Sequence, residues 1–243
     1  MADKQVLLNF LKVQDAMRKP PAMVTFLHRL PNSGNVVQAI LCRDLVFERS
    51  ARFAQHCEKI HEATVDMTSR PPGLIGDYIV LLRDNDPPRL QFPTAGDPPM
   101  DAAARMCYIT LSSLYLFSVE MEDSGSAQIV FRAIVDNFYF TWPNGFKYSP
   151  EPDVINHVYV YNYTLAWDPL RYSLADCYVD FATIKWYIPQ RECNQDFIVN
   201  VSVGVSRRCN RPHGLFRITD PRNYIFPKQP IQAATNPATN PKQ

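Results

Sequence analysis

Prolines divide this chain before any other pattern is considered. There are 21 of them against 8 glycines, and a proline ends or kinks a helix and is excluded from central strands. Pro20-Pro21 isolate a first segment, and Pro71-Pro72-Gly73 mark a loop. Five prolines between residues 84 and 104 predict a long irregular connection. What lies between these breaks must be short elements joined by stiff turns. Scarce glycine also argues against glycine-rich phosphate loops.

Ahead of the first break, residues 3–19 read as an amphipathic helix. Val6, Phe10, Val13 and Met17 recur at i, i+4, i+7 and i+11, and Leu7 and Leu11 widen the stripe. Cut off by two prolines, this helix has the form of an arm, which packs either on its own domain or on another subunit. A hairpin follows: Met23–Leu27 and Val36–Leu41 flank the turn residues Pro31-Asn32-Ser33-Gly34-Asn35. A second helix is predicted over 48–63, with Phe53, Cys57, Ile60 and Thr64 on one face, and a buried strand over Tyr78–Leu82.

From Arg105 onward the composition reads as strand: 106–111, 114–121, 128–135, 138–142, 154–167 and 172–188 are rich in β-branched and aromatic residues. The alternation is strictest over 197–205, where Phe197, Val199, Val201, Val203 and Val205 share one face. The predicted fold is mainly β, a β-sandwich with an N-terminal helical arm and one further helix. Its parts are an arm at 1–21, a sandwich body at 22–226 and a Pro/Asn/Thr-rich tail at 227–243 that repeats Ala-Thr-Asn-Pro.

Charge and cysteine usage narrow the function classes. The formal net charge is +1 with no polybasic run, which disfavours nucleic-acid and membrane-surface binding. The N-terminus lacks the apolar core of a signal peptide, and no apolar run reaches the length of a membrane span. Six widely spaced cysteines without a CxxC read as reduced thiols of a cytosolic protein.

No catalytic constellation emerges: GxSxG, HExxH, Walker and GxGxxG patterns are all missing, so no catalytic or metal residue is assigned and no cofactor is required. Cys57 and His61 share a helical face without a second pair to complete a metal site. Glu120, Glu122 and Asp123 beside Ser124-Gly125 read as a solvated loop. Arg207, Arg208 and Arg211 form a weak phosphate-binding candidate.

The tyrosines are a stronger signal. Tyr159, Tyr161 and Tyr163 alternate, and Tyr148, Tyr172, Tyr178 and Tyr187 lie in nearby segments. Such a set is either ordinary strand composition or a contact surface of large area and low entropic cost. Only 8 of the 25 basic residues are lysine, so near pH 10.5 the net charge moves to on the order of −18 as thiols and phenols ionise. Contacts made by packed phenols are then expected to hold at neutral pH and fail in alkali.

In layout the chain resembles the polyhedrins of cypoviruses. The likeness lies in the helical arm, the hairpin at Asn32-Ser33-Gly34, the helix at 48–63, the Pro-rich crossing, the aromatic turn Trp142–Tyr148, the Tyr-dense segment and the Cys/Arg stretch at 193–211. The resemblance implies a β-sandwich that forms trimers. These pack into the crystalline matrix of viral occlusion bodies in the host cytoplasm, enclose virus particles and dissolve in alkali. Some family members hold a nucleotide in the lattice, and none of their binding residues is matched here. The alternatives are a capsid coat protein with a β-sandwich body and a sandwich module that binds a small ligand.

Overall fold

Residues three and four apart, more than residues two apart, decide the architecture. The computed structural model describes residues 23–59, 64–88, 99–161, 168–181 and 192–209, the side chains of 56–59, 181 and 208–209 excepted. Along 127–138, Ala127, Val130, Phe131, Ile134, Val135 and Phe138 are all buried, a spacing that belongs to one helix face. The described body is accordingly mostly helical, with one three-stranded sheet, and the expected mainly β sandwich is overturned.

The described elements run β1 (Met23–Arg29), β2 (Val36–Cys42), α1 (Arg43–Arg49), α2 (Ala51–Lys59), β3 (Thr64–Asp66), α3 (Leu74–Asp84), α4 (Met100–Glu120), α5 (Ser124–Tyr139), α6 (Pro152–Val160), α7 (Pro169–Phe181) and α8 (Gln195–Cys209). The predicted hairpin forms as β1 and β2. The strands expected over 78–82, 106–121, 128–142, 154–167, 172–188 and 197–205 fall in helices where they are described, except at Met121, 140–142 and Tyr161, which lie in turns or extended chain beyond the helix ends. Valine, isoleucine and tyrosine suggest strand by composition, but their helical spacing lets each segment bury a continuous stripe. The Pro-rich crossing is narrower than expected, because α3 runs to Asp84 and α4 begins at Met100.

Local chemistry sets the helix ends. Asp123 caps α5 by accepting from the Ser126 N–H at 2.9 Å. Asn85 ends α3 in the left-handed region at φ 54°. Proline opens both α6 and α7, where the missing N–H costs no helical bond.

Helix α4 is the hub of the core. Tyr108, Leu111, Leu114, Tyr115, Leu116 and Phe117 are buried on most sides of it. Among the described residues α4 is the helix long and apolar enough to cross a bilayer, yet half of that stretch is buried within this body. An aromatic chain links it to the sheet: Phe26 meets Phe53 edge-on at 5.2 Å, Phe53 contacts Tyr78, and Tyr78 meets Phe117 edge-on at 5.0 Å.

Helix α8 shows the cost of alternating valines on a helix. Phe197 is buried, while Val199, Val203 and Val205 are 58%, 42% and 44% exposed. Gly204 lets this helix approach α7 closely, for a Cβ there would lie 2.8 Å from Val179 Cγ2. Gly204→Ala is therefore expected to destabilise the protein by about 1 kcal/mol, since overpacking outweighs the gain in helix propensity. Thermal unfolding followed by circular dichroism should show this loss, and Val179→Ala should reverse it in the double variant.

Candidate assembly surface

The sheet has one covered face and one open face. Strands β1 and β2 pair antiparallel from Met23↔Cys42 to Arg29↔Val36, and β3 runs parallel to β1 on its other side. Alternation sends Val24, Phe26 and Leu41 into the core. The same alternation places Met23, Leu27, Val36 and Ile40 on the outer face, with Met23, Val36 and Ile40 exposed at 43%, 51% and 57%. A half-buried sheet normally turns polar residues outward. This one sets Met23, Leu27, Val36 and Ile40 among Thr25, Gln38 and Arg29, with Thr64 and Asp66 on β3, so three large apolar side chains stand exposed on a mixed face, as at an interaction surface.

Inside the body, three buried carboxylates act as ties between elements. Asp123 accepts from Tyr78 Oη at 3.1 Å, from the Ser126 N–H at 2.9 Å and from Arg49 Nε at 3.4 Å. Arg49 also donates to Ser126 Oγ at 2.8 Å and to Asn85 Oδ1. Glu120 is held by both guanidinium nitrogens of Arg70, one at 3.0 Å, and by Tyr161 Oη at 2.6 Å. Asp168 accepts from Tyr115 Oη at 3.1 Å and from the Leu170 N–H at 2.9 Å, and burial raises its carboxyl above the usual range. Glu120 and Asp123 are thus core residues and not part of the solvated loop expected from their sequence; Glu122 alone faces solvent.

Each carboxylate is engaged by a fixed donor that binds two parts of the chain together. Asp123 joins α1, α3 and α5, while Glu120 joins the loop at Arg70 to the end of α6. Among the described residues no three His, Cys, Asp or Glu side chains are placed to hold a metal ion.

The tyrosines expected on one contact surface are scattered instead. Tyr159 and Tyr178 are core residues whose rings meet Phe197 edge-on at 5.6 and 5.1 Å. Tyr159 Oη donates to the Arg171 carbonyl at 2.8 Å, and Tyr178 Oη to the Pro150 carbonyl. Tyr148 is half-buried against Trp142, and its hydroxyl accepts from Asn144 Nδ2 at 2.7 Å. Tyr161 is committed to Glu120, and Tyr172 is exposed on α7. Tyr159 lies in the last turn of α6 and Tyr161 just beyond it, and their hydroxyls bond to Arg171 and Glu120 in different parts of the body, so the alternation creates no shared face.

Tyr163 and Tyr187 lie outside the described residues, as do the arm residues Val6, Leu7, Phe10, Leu11, Val13 and Met17. Arg207 is exposed at the end of α8; the Arg208 side chain and Arg211 are outside the described set, as are the side chains of Cys57 and His61. The feature that sequence reasoning missed, the open sheet face, was legible once the hairpin register was fixed: Val36 and Ile40 share parity with Met23 across the ladder.

Compared with protein families, curated proteins and solved structures, the chain matches none.

Proposed function

We propose that this chain is a structural protein that assembles with copies of itself, using the outer face of the β1–β2 hairpin as a contact surface and segment 3–19 as a connector. The observation that carries this reading is the set of apolar side chains on the outer face, Met23, Leu27, Val36 and Ile40. Burying a side chain of this kind contributes about 1.5–3 kcal/mol when it is fully removed from water. Several of them together can offset the cost of association. An occlusion-body matrix is one form such an assembly takes. The occlusion-body matrix, the coat protein and the ligand module all presuppose a sandwich, and all three lose that footing; self-assembly is the part of the reading that the open sheet face supports.

Ile40→Glu tests the surface. Ile40 is 57% exposed, so the substitution should leave the helical signal intact. Sedimentation should show the wild-type chain as an assembly and the variant as a monomer. A wild-type chain that remains monomeric at its highest soluble concentration would overturn the reading.

A further inference from the structure

The hydrogen-bonding polarity of β2 follows from two bonds. Leu30 N–H donates to the Asn35 carbonyl at 3.0 Å, which makes this a bonded pair of the hairpin. Bonded and non-bonded pairs alternate along an antiparallel ladder. In the register His28↔Val37, Phe26↔Ala39 and Val24↔Leu41, those three pairs are therefore the bonded ones. On the other side of β1, the Leu27 carbonyl accepts from the Met67 N–H at 2.9 Å, the same alternation seen from β3. Val37, Ala39 and Leu41 thus direct their backbone groups at β1, while Val36, Gln38, Ile40 and Cys42 direct theirs away from it.

In the sheet order β2-β1-β3, β2 is an edge strand among the described residues. Edge strands of soluble proteins are normally blunted by charge, proline or a bulge. Val36-Val37-Gln38-Ala39-Ile40-Leu41-Cys42 contains no charge and no proline, and it pairs with β1 without a break in register. This combination suits a second copy of the same strand: about a two-fold axis at the strand centre, residues next to the axis lie near their own counterparts, so a charge there would approach a like charge, and β2 carries none.

We infer that β2 pairs antiparallel with β2 of a second copy about a two-fold axis at Ala39, joining two three-stranded sheets into one of six strands. The inference rests on the self-assembly reading and names its contact. In this register Gln38 faces Ile40 of the second copy, and Val36 faces its Cys42. These are four bonded pairs, or about eight hydrogen bonds. Ala39 meets its own counterpart in a non-bonded pair, where the Cα atoms approach to about 4.5 Å and a methyl side chain fits. Residues of equal parity share a face, so the outer faces of the two copies, with Val36 and Ile40 in each, merge into one surface.

The decisive variant is Gln38→Pro. The Gln38 N–H points away from β1, so its loss leaves the hairpin ladder intact, and an edge strand accommodates the proline φ. Gln38→Lys is the companion, placing a charge at the edge without altering the backbone. Sedimentation of the full chain should give the wild type as an even multiple of the monomer mass. Both variants should fall in mass twofold or more while keeping wild-type circular dichroism. Ala39→Cys should cross-link as a disulfide dimer under mild oxidation, the Cα separation lying within disulfide reach.

If the wild type assembles and folded Gln38→Lys reaches the same mass, the strand pairing is overturned and self-assembly stands. If the wild type is monomeric, both fail. If the assembled Ala39→Cys protein does not cross-link, the axis at Ala39 is overturned.

Discussion

Between pH 10 and pH 12 the protein is expected to unfold in one cooperative step, its helical circular dichroism disappearing as tyrosinate absorbance appears. Tyr78, Tyr108, Tyr115, Tyr159 and Tyr178 are all buried. Burial raises each phenol above its ordinary value, helped at Tyr78 by the Asp123 carboxylate and at Tyr115 by Asp168. Tyr159 is pushed up to about 12. An unfolded phenol sheds its proton near pH 10 while a buried one keeps it. Above pH 10 the unfolded chain therefore binds fewer protons and stability falls with pH; below pH 10 both states are protonated and this contribution is fully present.

For Tyr159 alone the loss reaches roughly 2 kcal/mol by pH 12. Five such groups lose on the order of 10 kcal/mol, comparable with the whole stability of a domain. The Cys107 thiol, raised by burial to about 12, and that of Cys177, raised by burial, begin the decline about a unit earlier. Alkali sensitivity is thus a property of each copy's core, and an assembly would lose its contacts because its subunits unfold. Tyrosinate absorbance rising near pH 10 with unchanged circular dichroism would contradict the buried arrangement.

The parts of this fold legible from sequence are those set locally. The β1–β2 hairpin follows from turn residues Pro31–Asn35 between two β-branched runs, information contained in fewer than twenty residues. The helices after residue 100 were misread because valine, isoleucine and tyrosine suggest strand, while the 3–4 spacing of Val130, Phe131, Ile134 and Val135 favours a helix that packs on α4. At 197–205 the conflict is real. Alternation is genuine, but packing of Phe197 and Gly204 against α7 and its neighbours prevails and leaves three valines in solvent.

The buried ties were less accessible to sequence reasoning. Asp123 followed by Ser126 is a visible capping pattern, but its partner Arg49 lies 74 residues away. Arg70 is 50 residues from Glu120. Only the fold brings these charges together, so carboxylates beside a Ser-Gly turn read naturally as solvated.

Asp123→Ala is expected to lower stability by about 3–5 kcal/mol, the range seen when one partner of a buried ion pair is removed. Asp123 has no solvent exposure, and all its partners lose something. The α5 terminus loses its cap, Tyr78 Oη loses its acceptor, and the Arg49 guanidinium keeps a charge whose main counterion has gone. Asp123→Asn should cost about 1–2 kcal/mol, because the amide oxygen still accepts from the backbone and only the charge is lost. In Arg49→Met/Asp123→Ala the stranded charge is absent, so the double loss should be smaller than the sum of the single losses. Urea unfolding of the wild type, these variants and Arg49→Met alone measures the cycle: the midpoint should move while the slope is retained. A loss under about 1 kcal/mol for Asp123→Ala would mean the site is hydrated and the tie between α1, α3 and α5 is weak. A loss in the expected range would make this carboxylate the fastening that holds α1, α3 and α5 together.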